Sequence, residues 1–91
     1  MKRRVLVTGA SQGIGRAVAL ALAGNGFDVT VHCRSNRAAV EDLCVVVRDR
    51  GGRSDWLQFD VGDRAATAAA LENDVAAHGA FYGIVCNAGV H

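Results

Sequence analysis

A glycine-rich stretch near the amino terminus constrains the fold more than any other part of this sequence. Residues 8–15 read TGASQGIG and follow a continuous apolar run, RVLVT at residues 4–8, which is typical of a strand buried on both faces. A helix is predicted from about residue 14 to residue 23, where apolar residues recur at helical spacing: Ile14, Val18, Ala21 and Leu22. Glycine allows a sharp turn and close approach to a phosphate, and a helix start offers N–H groups and a positive dipole end. The pattern therefore predicts a nucleotide-binding unit rather than an ordinary turn.

The remainder of the chain repeats the same alternation of short apolar runs and helical stretches. Three more strands are predicted, at residues 27–33, at 54–60 and, within 82–89, at Ile84-Val85-Cys86. Two more helices are predicted, one over 37–50 and one that starts at the N-cap Asp63 and runs to about His78. The second helix should bury one face, formed by Val40, Leu43, Cys44 and Val47. This order, βαβαβαβ, predicts an α/β fold with a parallel sheet.

Composition and charge exclude several classes of protein. Hydrophobic residues make up 51% of the 91 residues and charged residues 21%, a balance typical of a folded globular protein. A net charge of +1 gives no field that would attract nucleic acid or an anionic membrane. No apolar run approaches the ~20 residues that span a bilayer, and the start does not resemble a signal peptide. We therefore expect a cytoplasmic protein with neither a nucleic-acid nor a membrane partner.

The three cysteines match no metal or disulfide pattern. Cys33, Cys44 and Cys86 are odd in number and widely spaced. We expect all three to be buried free thiols without chemistry, and we predict no metal site.

The glycine loop resembles the signature of the short-chain dehydrogenase/reductase family, Thr-Gly-x-x-x-Gly-x-Gly. All four signature positions match, at Thr8, Gly9, Gly13 and Gly15. The lysine of a P-loop is absent, which argues against a nucleotide triphosphatase. The resemblance implies a Rossmann-type, doubly wound sheet and a loop that contacts the cofactor through Gly9, Ala10, Ser11, Gln12, Gly13, Ile14 and Gly15.

The end of the second strand indicates which nicotinamide cofactor is bound. In this fold an acidic residue there binds the ribose 2′-hydroxyl of NAD, whereas a 2′-phosphate requires a cation. Here the strand ends VHCRS, with Cys33 at the position of the acid, Arg34 next and Ser35 after it. Arginine suits a phosphate because its planar fork donates two charge-assisted hydrogen bonds. We predict NADP(H), bound by Arg34 and Ser35; the alternative is that Arg34 is an ordinary surface cation.

Two further segments match the family in the correct order. Asp60 and Val61, in FDV, correspond to residues that contact the adenine, and the sequence Cys86-Asn87-Ala88-Gly89 corresponds to the family's Asn-Asn-Ala-Gly turn. The resemblance therefore implies cofactor contacts from Asn87, Ala88 and Gly89, with cysteine replacing the first asparagine. Without the resemblance, Asp60, Asn87 and Gly89 would be interpreted as ordinary turn residues.

The family's catalytic residues cannot be assigned in this chain. They are Ser, Tyr and Lys, with Tyr-x-x-x-Lys on one helix face, whereas Tyr82 is the single tyrosine here and Lys2 the single lysine. We therefore name no catalytic residue. We expect residues 1–91 to be the N-terminal portion of one NADP-binding domain whose catalytic C-terminal portion lies outside this sequence.

Within the family, VLVTGASQGIGRAVALALA and VHCRSN are most similar to bacterial reductases that act on 3-oxoacyl groups carried by acyl carrier protein. The resemblance implies NADPH-dependent reduction of such a thioester, or of another small carbonyl, by a homotetramer or homodimer. Two alternatives remain open. One is a non-catalytic nucleotide-binding module, and the other is a short-chain oxidoreductase of a sugar or small alcohol.

Overall fold

Four parallel strands and three helices form an α/β unit in the computed structural model, which describes residues 3–10 and 13–86. The elements are β1 (Arg4–Val7), α1 (Gly13–Gly24), β2 (Asp28–Cys33), α2 (Arg37–Asp49), β3 (Ser54–Gln58), α3 (Arg64–His78) and β4 (Gly83–Val85). The sheet order is β3-β2-β1-β4. The predicted α/β fold class and the order of its elements are therefore confirmed.

The strand order reverses beside β1. The chain moves from β1 to β2 and β3 on one side, and then crosses back to place β4 on the other side of β1. In a parallel α/β sheet, the crevice at the carboxyl ends of the strands at such a reversal is where ligands bind. The loop after β1 lies at this position.

One face of the sheet carries the hydrophobic core beneath α1 and α2. Alternate side chains of β1 and β2, Val5, Val7, Val29 and Val31, are buried there. The helix α2 covers them with the four residues predicted from its sequence, Val40, Leu43, Cys44 and Val47, each at most 1% exposed. The prediction for this helix face is confirmed.

The predicted apolar face of α1 is partly wrong. Ile14 is 73% exposed, and Ala21 is also exposed; the buried residues of the helix are Gly15 and Ala19. These two small residues are four apart and therefore share a helix face, which allows the helix to approach the sheet closely. Val18 and Leu22 flank this contact and are partly buried.

The opposite face of the sheet is polar where α3 approaches it. The Arg4 guanidinium forms a buried ion pair with Asp74 of α3 and also donates to the carbonyl of Gly79. The Thr30 hydroxyl donates to Asp55 at 2.7 Å. The helix begins as predicted, because the Asp63 carboxylate accepts from the amide of Ala66. Polar contacts thus help to attach α3 to the sheet.

Three strand ends lie earlier than the sequence indicated. The strand β1 ends at Val7 rather than residue 8, and β3 ends at Gln58 rather than residue 60. The strand β4 ends at Val85, so Cys86 is not part of it. After β1 the Thr8 amide still donates to the carbonyl of Val85 at 3.0 Å, and the chain then turns at Gly9, whose φ is 63°.

The cysteine prediction is correct for two of the three thiols. Cys33 and Cys44 are buried and free, and burial raises the pKa of both thiols, which keeps them protonated and unreactive. Cys86 is exposed, contrary to the prediction. It follows β4, which lies at an edge of the described sheet.

Among residues 3–10 and 13–86, no helix has the length and apolar character needed to cross a membrane.

We expect Leu43→Ala to destabilise the protein strongly, because Leu43 is fully buried where α2 meets the sheet. Removing a buried leucine side chain costs about 2–5 kcal/mol. Val45→Ala is a control on the same helix, since Val45 is 51% exposed and should change the free energy of unfolding by less than about 0.5 kcal/mol. Urea denaturation of the two variants measures both effects; equal losses would contradict the assignment of the buried face.

Candidate nucleotide-binding site

The carboxyl ends of the first three strands converge into one site. The Ala10 amide donates to the carbonyl of His32 at 2.8 Å, joining the loop after β1 to the end of β2. The Phe59 amide donates to the carbonyl of Cys33 at 3.2 Å, joining the end of β2 to the segment after β3. The three segments that the sequence singled out around residues 9, 34 and 60 are therefore neighbours in space.

The signature glycines have different structural roles. Gly9 and Gly13 both have a φ of 63°, in the left-handed region that favours glycine. Gly15 is buried in the contact between α1 and the sheet. Ala10, between the first two glycines, is fully buried. The loop is thus a sharp turn at each end, followed by a helix that lies close to the sheet.

Gly13 leaves open the space in which a phosphate would be bound. Apart from its chain neighbours and the backbone of α1, no atom of the described residues lies within 4 Å of a Cβ atom built on Gly13. Gly13 is the first residue of α1, and the first N–H groups of a helix have no partner within the helix. N–H groups without a partner inside the helix, the positive dipole end and an open approach fit a pyrophosphate.

The signature threonine connects the loop to β4. Both the amide and the hydroxyl of Thr8 bond to the carbonyl of Val85, at 3.0 and 3.3 Å. Thr8 is itself buried. Its side chain therefore fixes the start of the loop against the strand that leads to residues 87–89.

His32 organises the site, and the sequence analysis missed it. Its imidazole is fully buried at the end of β2; Nδ1 lies 3.0 Å from the amide nitrogen of Gly9, and Nε2 lies 2.7 Å from the carbonyl oxygen of Phe59. The imidazole also packs against the Phe59 ring, with centroids 4.1 Å apart. Burial lowers the pKa of His32, and the bond to the Phe59 carbonyl opposes this shift only in part. In the sequence, the feature that could have identified His32 as a site residue is its position two residues before Arg34.

Arg34 and Asp60, predicted to contact opposite ends of the adenosine, form an ion pair. The guanidinium of Arg34 lies 3.6 Å from the Asp60 carboxylate, and the Arg34 side chain is 75% exposed. An exposed pair of this kind contributes only about 0.2–1 kcal/mol. Arg34 can therefore leave Asp60 at low cost and contact an incoming anion.

The start of α2 adds positive potential next to Arg34. Asn36 caps this helix, accepting from the Ala39 amide at 3.2 Å, so the positive end of the helix dipole lies directly after Ser35. Ser35 is exposed and its carbonyl accepts from the Arg37 amide at 3.0 Å. The cap and Arg37 were not among the sequence-based candidates, although an asparagine before an amphipathic stretch is a recognisable cap signal.

Asp60 also has the turn role that was the alternative interpretation. Its Oδ1 atom accepts from the Gly62 amide at 2.9 Å, and its carbonyl accepts from the Asp63 amide at 2.9 Å. The Oδ2 atom is the one that contacts Arg34. Val61 is 41% exposed beside it. The turn therefore presents one carboxylate oxygen and one apolar side chain next to the site.

Several candidates lie outside the described residues: Ser11, Gln12, Asn87, Ala88 and Gly89. Tyr82 is described, and it lies at the amino end of the sheet, where its amide donates to the carbonyl of Arg4. Its ring contacts Phe27 and the Arg3 guanidinium. Tyr82 is therefore at the opposite end of the sheet from the glycine loop, which agrees with its exclusion as a catalytic residue.

A cavity of about 400 Å³ also lies at the amino end of the sheet. Its lining mixes cations with acids: Arg4, Arg48, Arg53 and His78 with Asp28 and Asp55. Asp55, Asp74 and His78 have possible metal-ligand atoms within 4.8 Å of one another. Because Arg4 is paired with Asp74, a fixed positive charge already occupies this cluster. Ligands of parallel α/β sheets bind at the opposite, carboxyl end, so the glycine loop remains the candidate site.

The chain belongs to the short-chain dehydrogenase family, whose model matches residues 3–91. It is 50% identical over 90 residues to the 3-oxoacyl-(acyl-carrier-protein) reductase FabG of Aggregatibacter actinomycetemcomitans, a match that covers 99% of this chain and 37% of the relative. A reductase of the same name from Staphylococcus aureus is 34% identical over the same shares. The chain thus spans little more than a third of the length of these relatives.

Solved structures show the same fold. An acetoin dehydrogenase from Enterobacter cloacae has a TM-score of 0.89 and is 33% identical, covering 99% of this chain and 36% of that one. YwfH, an NADPH-dependent reductase involved in bacilysin biosynthesis, has a TM-score of 0.83 and is 28% identical, covering 92% of this chain and 36% of that one. The Rossmann-type sheet and the oxidoreductase family are therefore established for this chain.

We expect Gly13→Ala to weaken nucleotide binding beyond its effect on stability, because a methyl group there would project into the open phosphate space. Gly79→Ala is a matched control: Gly79 also has a positive φ, 93°, and open surroundings, but it ends α3. Both variants should lose about 1–2 kcal/mol from left-handed backbone strain. Only Gly13→Ala should lose affinity for NADP⁺ in calorimetric titration, and equal affinities would contradict the phosphate assignment.

Proposed function

We propose that the protein containing this chain is an NADPH-dependent reductase that converts a 3-oxoacyl thioester, carried on acyl carrier protein, to the hydroxy product. The observation that carries the proposal is the 50% identity to a reductase named for this substrate, over 99% of the chain. The spatial arrangement at the carboxyl ends of the strands supports the cofactor part, because it combines an anion-binding helix start with Arg34.

The cofactor would extend along the ends of three strands. The N–H groups at the start of α1 hold the pyrophosphate, and Gly9 and Gly13 give the backbone the turns that bring them there. Arg34 and Ser35, at the positive end of α2, bind the 2′-phosphate. Asp60 and Val61 contact the adenine, and Ala10 supports the loop from below.

Arg34 distinguishes the two nicotinamide cofactors by charge. A 2′-phosphate carries about two negative charges at neutral pH and can accept two hydrogen bonds from one guanidinium. The exposed contact with Asp60 at 3.6 Å is weaker than such a bidentate bond. NADPH should therefore draw Arg34 away from Asp60, whereas NADH provides no group that does so.

The remaining predicted contacts continue toward the reactive end of the cofactor. Thr8 connects the glycine loop to the end of β4, which leads directly to Asn87, Ala88 and Gly89. We place these three residues along the cofactor beyond its pyrophosphate. When bound, the cofactor would supply the hydride that reduces the carbonyl carbon. The acid/base chemistry would come from the part of the relatives that this chain does not match, so residues 1–91 form the N-terminal portion of the NADP-binding domain.

Assembly and location are part of the same proposal. The family resemblance supports a homotetramer or homodimer, and a substrate carried on acyl carrier protein would place the enzyme in the cytoplasm.

We expect Arg34→Ala to weaken NADPH binding by about tenfold or more, corresponding to about 1.4 kcal/mol for the lost charge-assisted hydrogen bonds, and to leave NADH binding nearly unchanged. Arg50→Ala is the control, because Arg50 is an exposed arginine at the opposite end of α2. Fluorescence titration of both cofactors measures the effect. Equal losses for NADPH and NADH would show that Arg34 is an ordinary surface cation.

A second candidate function is oxidoreduction of a small hydroxyketone, which the similarity to two acetoin dehydrogenase structures favours. We expect the protein that contains this chain to oxidise NADPH when an acetoacetyl thioester is the substrate. Its kcat/KM for the thioester should be at least about tenfold higher than for acetoin or the corresponding diketone, a difference of about 1.4 kcal/mol in transition-state stabilisation. The reverse preference would support the second candidate. NADPH binding without turnover of any carbonyl would indicate a non-catalytic nucleotide-binding module.

A further inference from the structure

The imidazole of His32 connects two loops that would contact different parts of the nucleotide. On one side it bonds to the amide of Gly9, in the glycine loop, at 3.0 Å. On the other side it bonds to the carbonyl of Phe59, directly before Asp60, at 2.7 Å. The side chain therefore sets the spacing between the pyrophosphate side of the site and its adenine side.

The partners of the imidazole determine its protonation state. The Gly9 amide can only donate, so Nδ1 must be an unprotonated acceptor. The Phe59 carbonyl can only accept, so Nε2 must carry the hydrogen. This arrangement fixes the neutral Nε2–H tautomer. A proton added at Nδ1 would face the N–H of Gly9 and replace a hydrogen bond with a repulsive contact.

Among residues 3–10 and 13–86, no acidic side chain forms an ion pair with His32. Its register neighbour on β3 is Leu57, and its ring packs on Phe59. The charged groups of the same sheet face are Arg4 of β1, Asp28 at the start of β2, Asp55 of β3, and Asp74 and His78 of α3. Arg4 pairs with Asp74, and Asp55 with His78 at 3.9 Å; Asp28 lies at the amino end of β2, the opposite end of the strand from His32. Toward the carboxyl end, Asp60 pairs with Arg34. Burial accordingly lowers the pKa of His32.

We propose that His32 is a positioning residue for the nucleotide site, which holds the glycine loop and the Asp60 loop at a fixed spacing and releases the glycine loop when it becomes protonated. The inference rests on the proposed nucleotide-binding function and deepens it. His32 does not contact the cofactor in this account; it acts through the backbone of Gly9 and Phe59.

Linkage gives the direction of the pH dependence. The folded protein binds the proton on His32 less readily than the unfolded chain, whose histidine pKa is about 6.5. At pH values above 6.5 neither state is protonated, and His32 has no effect on the pH dependence of stability. As the pH falls below about 6.5, the unfolded state gains protons first, so stability decreases. Nucleotide binding requires the ordered loop, so affinity should also fall with decreasing pH, but only once His32 of the folded protein becomes protonated, at a lower pH than in the unfolded chain.

Three variants of the protein that contains this chain separate the roles of the imidazole. His32→Asn keeps an oxygen acceptor for the Gly9 amide but does not titrate, and His32→Leu removes both hydrogen bonds while filling apolar space. His78→Asn is the control, because His78 is an exposed histidine at the end of α3. NADP⁺ affinity is measured from pH 5 to 8, the range in which histidine changes charge. The 2′-phosphate titrates in the same range, but it does so equally with every variant.

We expect His32→Leu to bind NADP⁺ roughly fivefold to tenfold more weakly than wild type at pH 8. The reason is that the lost hydrogen bonds to the glycine loop and the Phe59 carbonyl contribute about 1 kcal/mol to ordering the loop. His78→Asn should bind like wild type. At acidic pH, where His32 of the folded protein becomes protonated, wild type should lose affinity more steeply than His32→Asn. Identical pH profiles for wild type and His32→Asn, or wild-type affinity in His32→Leu, would overturn the positioning role. Failure of wild type to bind any nucleotide at pH 8 would overturn the proposed function, and this inference with it.

A measurement on the unsubstituted protein provides a test that does not depend on how the variants fold. The ¹⁵N shifts of the His32 ring should show a protonated Nε2 and an unprotonated Nδ1 at neutral pH. A charged ring, or a ring protonated at Nδ1, would overturn the proposal directly.

Discussion

The structure depends on how the turn after β1 is held. Thr8 bonds to the end of β4, Gly9 to the imidazole at the end of β2, and Ala10 to the backbone of the same residue. Three consecutive amides are thus used to fix the loop between its two neighbouring strands. Because these amides have protein partners, the N–H groups at the start of α1 are left as the donors for an anion. The proposed anion site therefore exists because the loop amides bond to the protein while the amides at the start of the helix do not bond within the helix.

The two faces of the sheet contribute to the site in different ways. The face beneath α1 and α2 is apolar and close-packed, and it holds α1 near the sheet through Gly15 and Ala19. The other face is more polar, although it also buries Leu6. Its polar side chains bond to one another, from Arg4 and Asp74 to Thr30 and Asp55. His32 lies at the end of this polar face, where the face reaches the glycine loop. The apolar face therefore provides rigidity, and the polar face sets the loop geometry.

Much of this could be predicted from the sequence because local patterns determine it. The face of α2 was predicted correctly since its large apolar residues are also the ones that contact the sheet. For α1 the same reasoning failed. The residues that α1 packs against the sheet are Gly15 and Ala19, and the spacing of its larger apolar residues does not indicate that these small residues are buried. Position after the second strand was enough to identify Arg34 as a candidate, whereas Asp60 became one only through the resemblance to the family. Their ion pair follows only from the adjacency of β2 and β3.

The role of His32 could not be predicted because it depends on both neighbouring strands. The alternation in β2 indicated valines on one face and polar residues on the other, but the partners of His32 come from the loops after β1 and β3. Sequence spacing gives no information about such a three-strand contact, whereas the parallel topology places all three segments at one edge.

The central claim is that nucleotide binds at the carboxyl ends of β1, β2 and β3. Mapping amide chemical shifts during titration of the protein with NADP⁺ tests it most directly. The largest changes are expected at Gly13, Arg34 and Asp60, with little change at the amino end of the sheet. Changes centred on Arg48, Arg53 and Asp55, which line the cavity at that opposite end, would contradict it.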